Sequence, residues 1–193
     1  MKRTIFELIT DKGGFITKSE IPSYYDYRQL LLLVRKGELV RVRQGVYALP
    51  ESLANTMYDI EKIVPGGILC SYSAWAHYNL TTQIPYGIFV AIKRGRKVNL
   101  PDYPQITLCT LSEHLLELGV TKALVGGYEC KIYNIERSVC DAIKARNKIG
   151  IDVCSEIVSA YLRRPNRNLV VLTEYAKSLR VESTLRKYLE ISL

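Results

Sequence analysis

A helix stop followed at once by a basic hairpin constrains this chain more than any other feature. Between Arg35 and Leu49 the sequence reads RKGELVRVRQGVYAL. Gly37 supplies the left-handed residue on which helices commonly end. Two β-prone runs, 38–42 and 46–49, then flank Arg43-Gln44-Gly45, a hairpin with glycine at its turn. Alternation along the first run predicts Val40 and Val42 on one face and Arg41 and Arg43 on the other. A short hairpin cannot stand alone, so the apolar face needs helices against it.

Those helices are legible upstream. Ile5, Phe6, Leu8 and Ile9 recur at helical spacing before Gly13-Gly14, which predicts a first helix of about ten residues. Thr17-Lys18-Ser19-Glu20 has the capping-box spacing and predicts a short second helix. Asp26-Tyr27-Arg28-Gln29 offers a second box, with Tyr25 and Leu30 placed for a hydrophobic staple. The third helix is expected to open there, to bury Leu30, Leu33 and Val34, and to end at Gly37. Three helices and a basic ribbon predict a winged helix-turn-helix, whose third helix would enter a major groove while wing cations meet phosphate. The expected DNA contacts are Thr17 and Lys18, then Tyr27, Arg28 and Gln29, then Arg41, Arg43 and Gln44. Gln pairs bidentately with adenine and Arg with guanine. Leu31 and Leu32 stand where a groove reader usually carries polar side chains.

Charge is consistent with an anionic partner. The 193 residues carry a formal +8. The excess sits at the ends, with nine basic against five acidic residues over 1–50, seven against seven over 51–133, and eleven against seven over 134–193. A basic surface concentrates polyanions near it. Five widely spaced cysteines, with no C-x-x-C pair, argue against a disulfide framework and fit a reducing cytoplasm. The opening MKRTIFELIT is broken by Glu7 and too short for a secretory core. No run of about 18 apolar residues could span a membrane.

Beyond Pro50 the pattern changes. Helices are expected over 52–64 and 71–77, and a short one over 112–118. Strands are expected over 68–70, 88–92, 106–110, 122–125 and 128–134. From Asn134 the signal is helical, with Asn134, Asp152 and Asn168 at N-cap positions and breaks at 148–150 and 164–166. The predicted organisation is α+β: a winged helix-turn-helix domain over 1–50, then a domain over 51–193 with a mixed α/β part (51–133) and a helical part (134–193).

The second domain offers little catalytic chemistry. Asp102, Glu129 and Lys131 spell the P-D … E-x-K pattern of metal-dependent nucleases, with Glu129, Lys131 and Tyr133 expected on one water-facing side of an edge strand. That pattern carries the alternative function. His77 and His114 lack partners at zinc-ligand spacing, Ser71 and Ser73 lack a nucleophile elbow, and no phosphate-binding P-loop is present. No metal or cofactor is expected. Lys93, Arg94, Arg96 and Lys97 concentrate charge in one loop, a possible phosphate or partner contact. Arg137 and Asp141, at i and i+4, can pair, and with Glu136 would pin sheet to helices or serve the domain's function.

Several stretches resemble the AbiE-type antitoxins (the AbiEi family) of type IV toxin–antitoxin and abortive infection systems. The similarity runs through Leu33 to Leu39, Arg41-Val42 and Gly45-Val46-Tyr47. It continues in Ser71-Tyr72-Ser73-Ala74, in His77 to Leu80 and Pro85, in Ile132 to Asp141 (IYNIERSVCD), in Arg146-Asn147, in Tyr175-Ala176, and in Val181-Glu182 and Leu185 to Glu190. The resemblance implies a non-enzymatic protein with two tasks in phage defence. Its winged domain would repress its own operon on double-stranded promoter DNA. Its second domain would counter a nucleotidyltransferase-like toxin encoded beside it, without a stable complex.

Overall fold

The computed structural model describes residues 4–54, 59–101 and 104–192. The chain is a mixed α+β protein that divides into two compact units. The first comprises Met1–Gly66, Lys97–Ile106 and Leu124–Cys130, and the second Gly67–Arg96, Thr107–Ala123 and Lys131–Leu193. The first unit includes Pro50, where a change of sequence pattern is expected. Beyond it Ile60, Ile63 and Val64 are buried, and Lys62 donates to the Phe15 carbonyl at 3.4 Å.

In the first unit α1 (Ile5–Asp11) is closed by a capping box in which Thr4 Oγ1 accepts from Glu7 N and Glu7 accepts from Thr4 N. β1 (Phe15–Thr17) follows, then a 3₁₀ turn over Lys18–Glu20. α2 (Tyr24–Arg35) begins two residues before Asp26, because Ser23 is its cap and accepts from Asp26 N at 3.2 Å. The staple expected between Tyr25 and Leu30 does not form: Leu30 is buried and Tyr25 points to water. Lys36 caps the other end, and Gly37 turns the chain at φ +76°. β2 (Val40–Arg43) and β3 (Val46–Ala48) form the wing, to which β1 adds a third antiparallel strand in the order β1-β3-β2. A register shift between Arg41 and Arg43 breaks the expected alternation, so Val42 is buried while Val40 is 39% exposed. Ile5, Ile9, Ile16, Leu30, Leu39, Tyr47 and Leu49 close the core. α3 (Pro50–Ala54) and α4 (Ile60–Ile63), the latter capped by Asp59, stand where one helix was expected.

The second unit is built on β4 (Ile68–Leu69), α5 (Ser71–His77), β5 (Ile88–Lys93), β6 (Ile106–Leu111), α6 (Glu113–Glu117), β7 (Val120–Val125) and β8 (Tyr128–Tyr133). The strands form one mixed sheet in the order β6-β5-β4-β8-β7, with β4 antiparallel to β5 and parallel to β8. The tip of the β7–β8 hairpin belongs to the first unit, where Tyr128 donates to the Gly13 carbonyl at 2.7 Å. β8 is thus no edge strand, and Tyr133, expected in water, is buried with its hydroxyl donated to the Leu116 carbonyl. Four helices complete the unit: α7 (Ile135–Ile149), α8 (Ile151–Leu162), α9 (Leu169–Ser178) and α10 (Glu182–Ser192). Asn134 and Asn168 cap α7 and α9 as expected. Asp152 does not cap α8, since α7 runs on to Ile149 and Gly150 alone separates the two. Apolar stripes of α5 and all four helices enclose Trp75, whose indole donates to the Ser138 carbonyl at 2.9 Å.

The start of α7 carries the unit's most constrained side chain. Arg137 has no exposed surface. Its Nε donates to Asp141 at 3.0 Å, its Nη1 to the carbonyls of Leu115 and Leu118, and its guanidinium lies 4.3 Å from the Tyr133 ring centroid. Those carbonyls belong to the end of α6, where a cation is favoured. A charge this deep is tolerated because it is paired and hydrogen-bonded. Glu136, also buried, accepts from the Tyr161 hydroxyl, which in turn accepts from Asn168 N.

Gly119 sits at φ +75°, and a Cβ there would stand 2.7 Å from the Arg137 Cβ. Backbone strain and crowding together predict that Gly119→Ala destabilises the second unit by about 2–4 kcal/mol. Urea unfolding followed by the fluorescence of Trp75, the single tryptophan, measures it. A loss under about 0.5 kcal/mol, the ordinary surface range, would contradict the packing described.

Candidate nucleic-acid interface

α2 buries one side and leaves the other bare. Leu30 is fully buried, and Tyr27, Leu33 and Val34 are packed beside it. Opposite them lie Tyr24 (77% exposed), Tyr25 (68%), Arg28, Leu31 (37%), Leu32 (46%) and Arg35. At about 100° per residue these six fill an arc of about 120° with Arg28 at its centre. Asp26, the helix's one acid, accepts from the Ser23 hydroxyl at 2.6 Å. Arg28, Arg35, Lys36 and Arg41 are exposed and form no ion pair among the described residues.

The predicted contact residues differ in where the structure places them. Arg28, Arg41 and Gln44 are exposed, and Lys18 is exposed with its Nζ 5.2 Å from the Tyr27 ring centroid. Gln29 is half-buried on the flank of the arc. Tyr27 faces the wing instead: its hydroxyl meets that of Tyr47 at 3.3 Å and the rings pack edge to face. Burial pushes the Tyr47 phenol up to about 12, aided by the bond to Tyr27. Of Arg43 the backbone is described, paired with Val46 across the hairpin. The structure adds Tyr24, Tyr25 and Arg35 to this face: the first two because α2 opens at Ser23 rather than Asp26, and Arg35 because it falls on the same side of the helix as Arg28. Ser23-x-x-Asp26 after Pro22 is the signal that finds the opening.

Thr17 is held by the turn that precedes α2. Its amide and hydroxyl both donate to Glu20, at 2.7 and 2.8 Å, and Lys12 pairs with the same carboxylate at 2.9 Å. Burial of Glu20 works against its charge, but these bonds and the nearby Lys62 outweigh it and lower the carboxyl to about 2. This locks the turn that aims Lys18 past the wing, where Lys18 N donates to the Gly45 carbonyl.

Outside this surface the residues do not converge. Lys93 pairs with Glu113 at 2.8 Å, and Arg94, Arg96 and Lys97 are exposed. Glu129 and Lys131 are exposed on β8, while Asp102 lies outside the described residues. Among the described residues no group of three or more His, Cys, Asp and Glu could hold a metal ion. The five cysteines form no disulfide among the described residues. His77 packs edge to face on Tyr78, and burial lowers its pKa. Glu136, Arg137 and Asp141 are engaged internally, as a pin between α6 and α7 requires. No described helix is long and apolar enough to cross a membrane.

The exposed arc and wing lie in the segment that comparison singles out. Residues 3–50 match the model of the family described as transcriptional regulator, AbiEi antitoxin. The AbiEi match spans both helices, the 3₁₀ turn and the hairpin. No curated protein matches the chain. Among solved structures, the RV2827C protein from Mycobacterium tuberculosis is similar over 97% of this chain and 80% of its own, with a TM-score of 0.52 and 12% identity. At that identity the likeness concerns the fold alone.

Because the folded-state pKa of Glu20 is depressed, its contribution to stability is present above the unfolded value near 4.5 and is lost as pH falls towards 2. Glu20→Gln is therefore expected to cost about 1 kcal/mol at pH 7, discounted for its partial exposure, and nothing near pH 2. Amide exchange over residues 15–21 at several pH values measures the difference. A cost that did not shrink between pH 4.5 and 2 would show that the carboxylate is not what holds the turn.

Proposed function

We propose that this chain is an antitoxin and transcriptional autorepressor. On this reading its amino-terminal winged helix-turn-helix binds double-stranded promoter DNA, and the rest of the chain counters a nucleotidyltransferase-like toxin from the same operon. The observation that carries the proposal is the coincidence of the AbiEi match over 3–50 with a helix face and wing on which Arg28, Arg35, Lys36 and Arg41 are exposed and form no ion pair among the described residues. Exposed cations raise the local concentration of a polyanion, and a duplex that covers them releases condensed counterions.

In this reading α2 lies in the major groove with Arg28 over base edges and Gln29 beside it. Lys18 sits at the phosphate of one strand, with Thr17 at the same contact through the turn it holds by its bonds to Glu20, and Arg41, Arg43 and Gln44 at the backbone next to it. Tyr27 aims the helix by packing on Tyr47. The loop at Lys93, Arg94, Arg96 and Lys97 is a secondary contact for phosphate or for a partner. The protein acts in the cytoplasm, in phage defence by abortive infection. It is not an enzyme and needs no cofactor. The pin formed by Glu136, Arg137 and Asp141 shapes the antitoxic part, which antagonises the toxin without a lasting complex. The domain assignment goes with this reading, 1–50 for DNA and 51–193 for antitoxicity.

Binding of a duplex from upstream of its own gene, titrated with salt, tests the proposal. Arg41→Ala with Arg43→Ala should weaken binding to every sequence and flatten the slope of log K against log salt by about two. Gln29→Ala should leave the slope and relax sequence preference. An unchanged slope in the wing variant would remove the wing from the interface.

A further inference from the structure

The two outward leucines of α2 remain unexplained by phosphate binding. Leu31 and Leu32 are exposed among arginines, where a water-facing helix would ordinarily place polar side chains. Their apolar surface is not loosely scattered: it flanks Arg28, Leu31 on one side and Leu32 on the other, within the same arc. Whatever covers this face has to offer acceptors for a guanidinium at the centre and apolar atoms close by.

A second copy of the chain fits poorly. Isologous packing on this face would bring Arg28 towards its own mate with no acid on the helix to compensate, since Asp26 lies off the arc and is bound to Ser23. The floor of a major groove fits well. Guanine presents two acceptors to an arginine, and thymine presents a C5-methyl group to apolar side chains. The spacing agrees too. Leu31 and Leu32 lie about 4.5 and 6 Å along the helix axis from Arg28, against about 3.4 Å between stacked bases.

We propose that Leu31 and Leu32 read thymine methyl groups, so that the preferred sites carry thymines within one or two base pairs of the base contacted by Arg28. This rests on the reading that α2 enters the major groove and adds to it the composition of the site. Apolar readout of this kind gives the helix sequence preference without polar side chains at positions 31 and 32.

The test uses the full chain and the duplex upstream of its own gene, synthesised once with thymidine and once with deoxyuridine, which lacks only the methyl groups. The expected result is about tenfold weaker binding of the uracil duplex, as follows from uncovering two methyl-sized contacts. Leu31→Ala with Leu32→Ala should bind both duplexes alike while keeping the salt slope of the parent. Equal binding of the two duplexes by the parent, with its salt dependence intact, overturns the methyl readout and leaves the DNA reading standing. No binding to either duplex at low salt overturns both. Loss of self-association in the leucine variant, with no thymine preference in the parent, assigns the face to a second copy instead.

Discussion

The rotation of α2 about its own axis is the constraint on which the functional surface depends. It is set by a small core in which Leu30 is driven against Ile5, Ile9, Ile16 and Leu39, with Tyr27 wedged on Tyr47. Burying a leucine is worth about 2 kcal/mol, so a turn of the helix that exposed Leu30 in exchange for Leu31 would cost stability and break the Tyr27–Tyr47 contact. The same packing that makes the first unit fold thereby turns Arg28 outward. Ser23 fixes where the helix begins and Gly37 where it ends, and the span between them sets which residues the outward arc contains.

The second unit follows a different logic, in which polar groups are buried and paid for by pairing. Arg137 closes the end of α6, pairs with Asp141 and stacks on Tyr133, and Gly119 leaves the room it needs. Glu136 and Tyr161 tie α7 to α8, and Asn168 carries the chain of bonds on to α9. From Tyr133 to Asp141 the polar side chains are engaged internally, with Nη2 of Arg137 the one buried polar atom among the described residues that lacks a partner. Any role in antitoxicity has to come from the surface this pin supports.

Much of this was legible in the sequence, and the parts that were not have local causes. β-prone runs bounded by turn residues located the strands of the second unit closely and the 3.6 period its helices, although β5 buries four residues in a row and α7 five. The β1 strand was missed because three residues carry no period, and only its pairing with β3 makes Phe15–Thr17 a strand. Val40 was assigned to the buried face because a bulge between Arg41 and Arg43 leaves no mark in alternation. The Asp26 box competed with Ser23, and the earlier cap won because Pro22 breaks the chain just before it. That single displacement moved Tyr24 and Tyr25 from a loop onto the outward face and Tyr27 from it. The division into units could not be read at all, since it depends on chain segments far apart in sequence.

The central claim, that the outward side of α2 and the wing meet a duplex, is tested most directly by amide NMR of the chain titrated with promoter DNA. The account predicts shifts concentrated at Tyr24, Arg28, Leu32, Arg35 and Arg41, with Leu30 and the Arg137 pin undisturbed. Shifts confined to residues 134–192, or none along α2 under conditions where DNA binds, would contradict it.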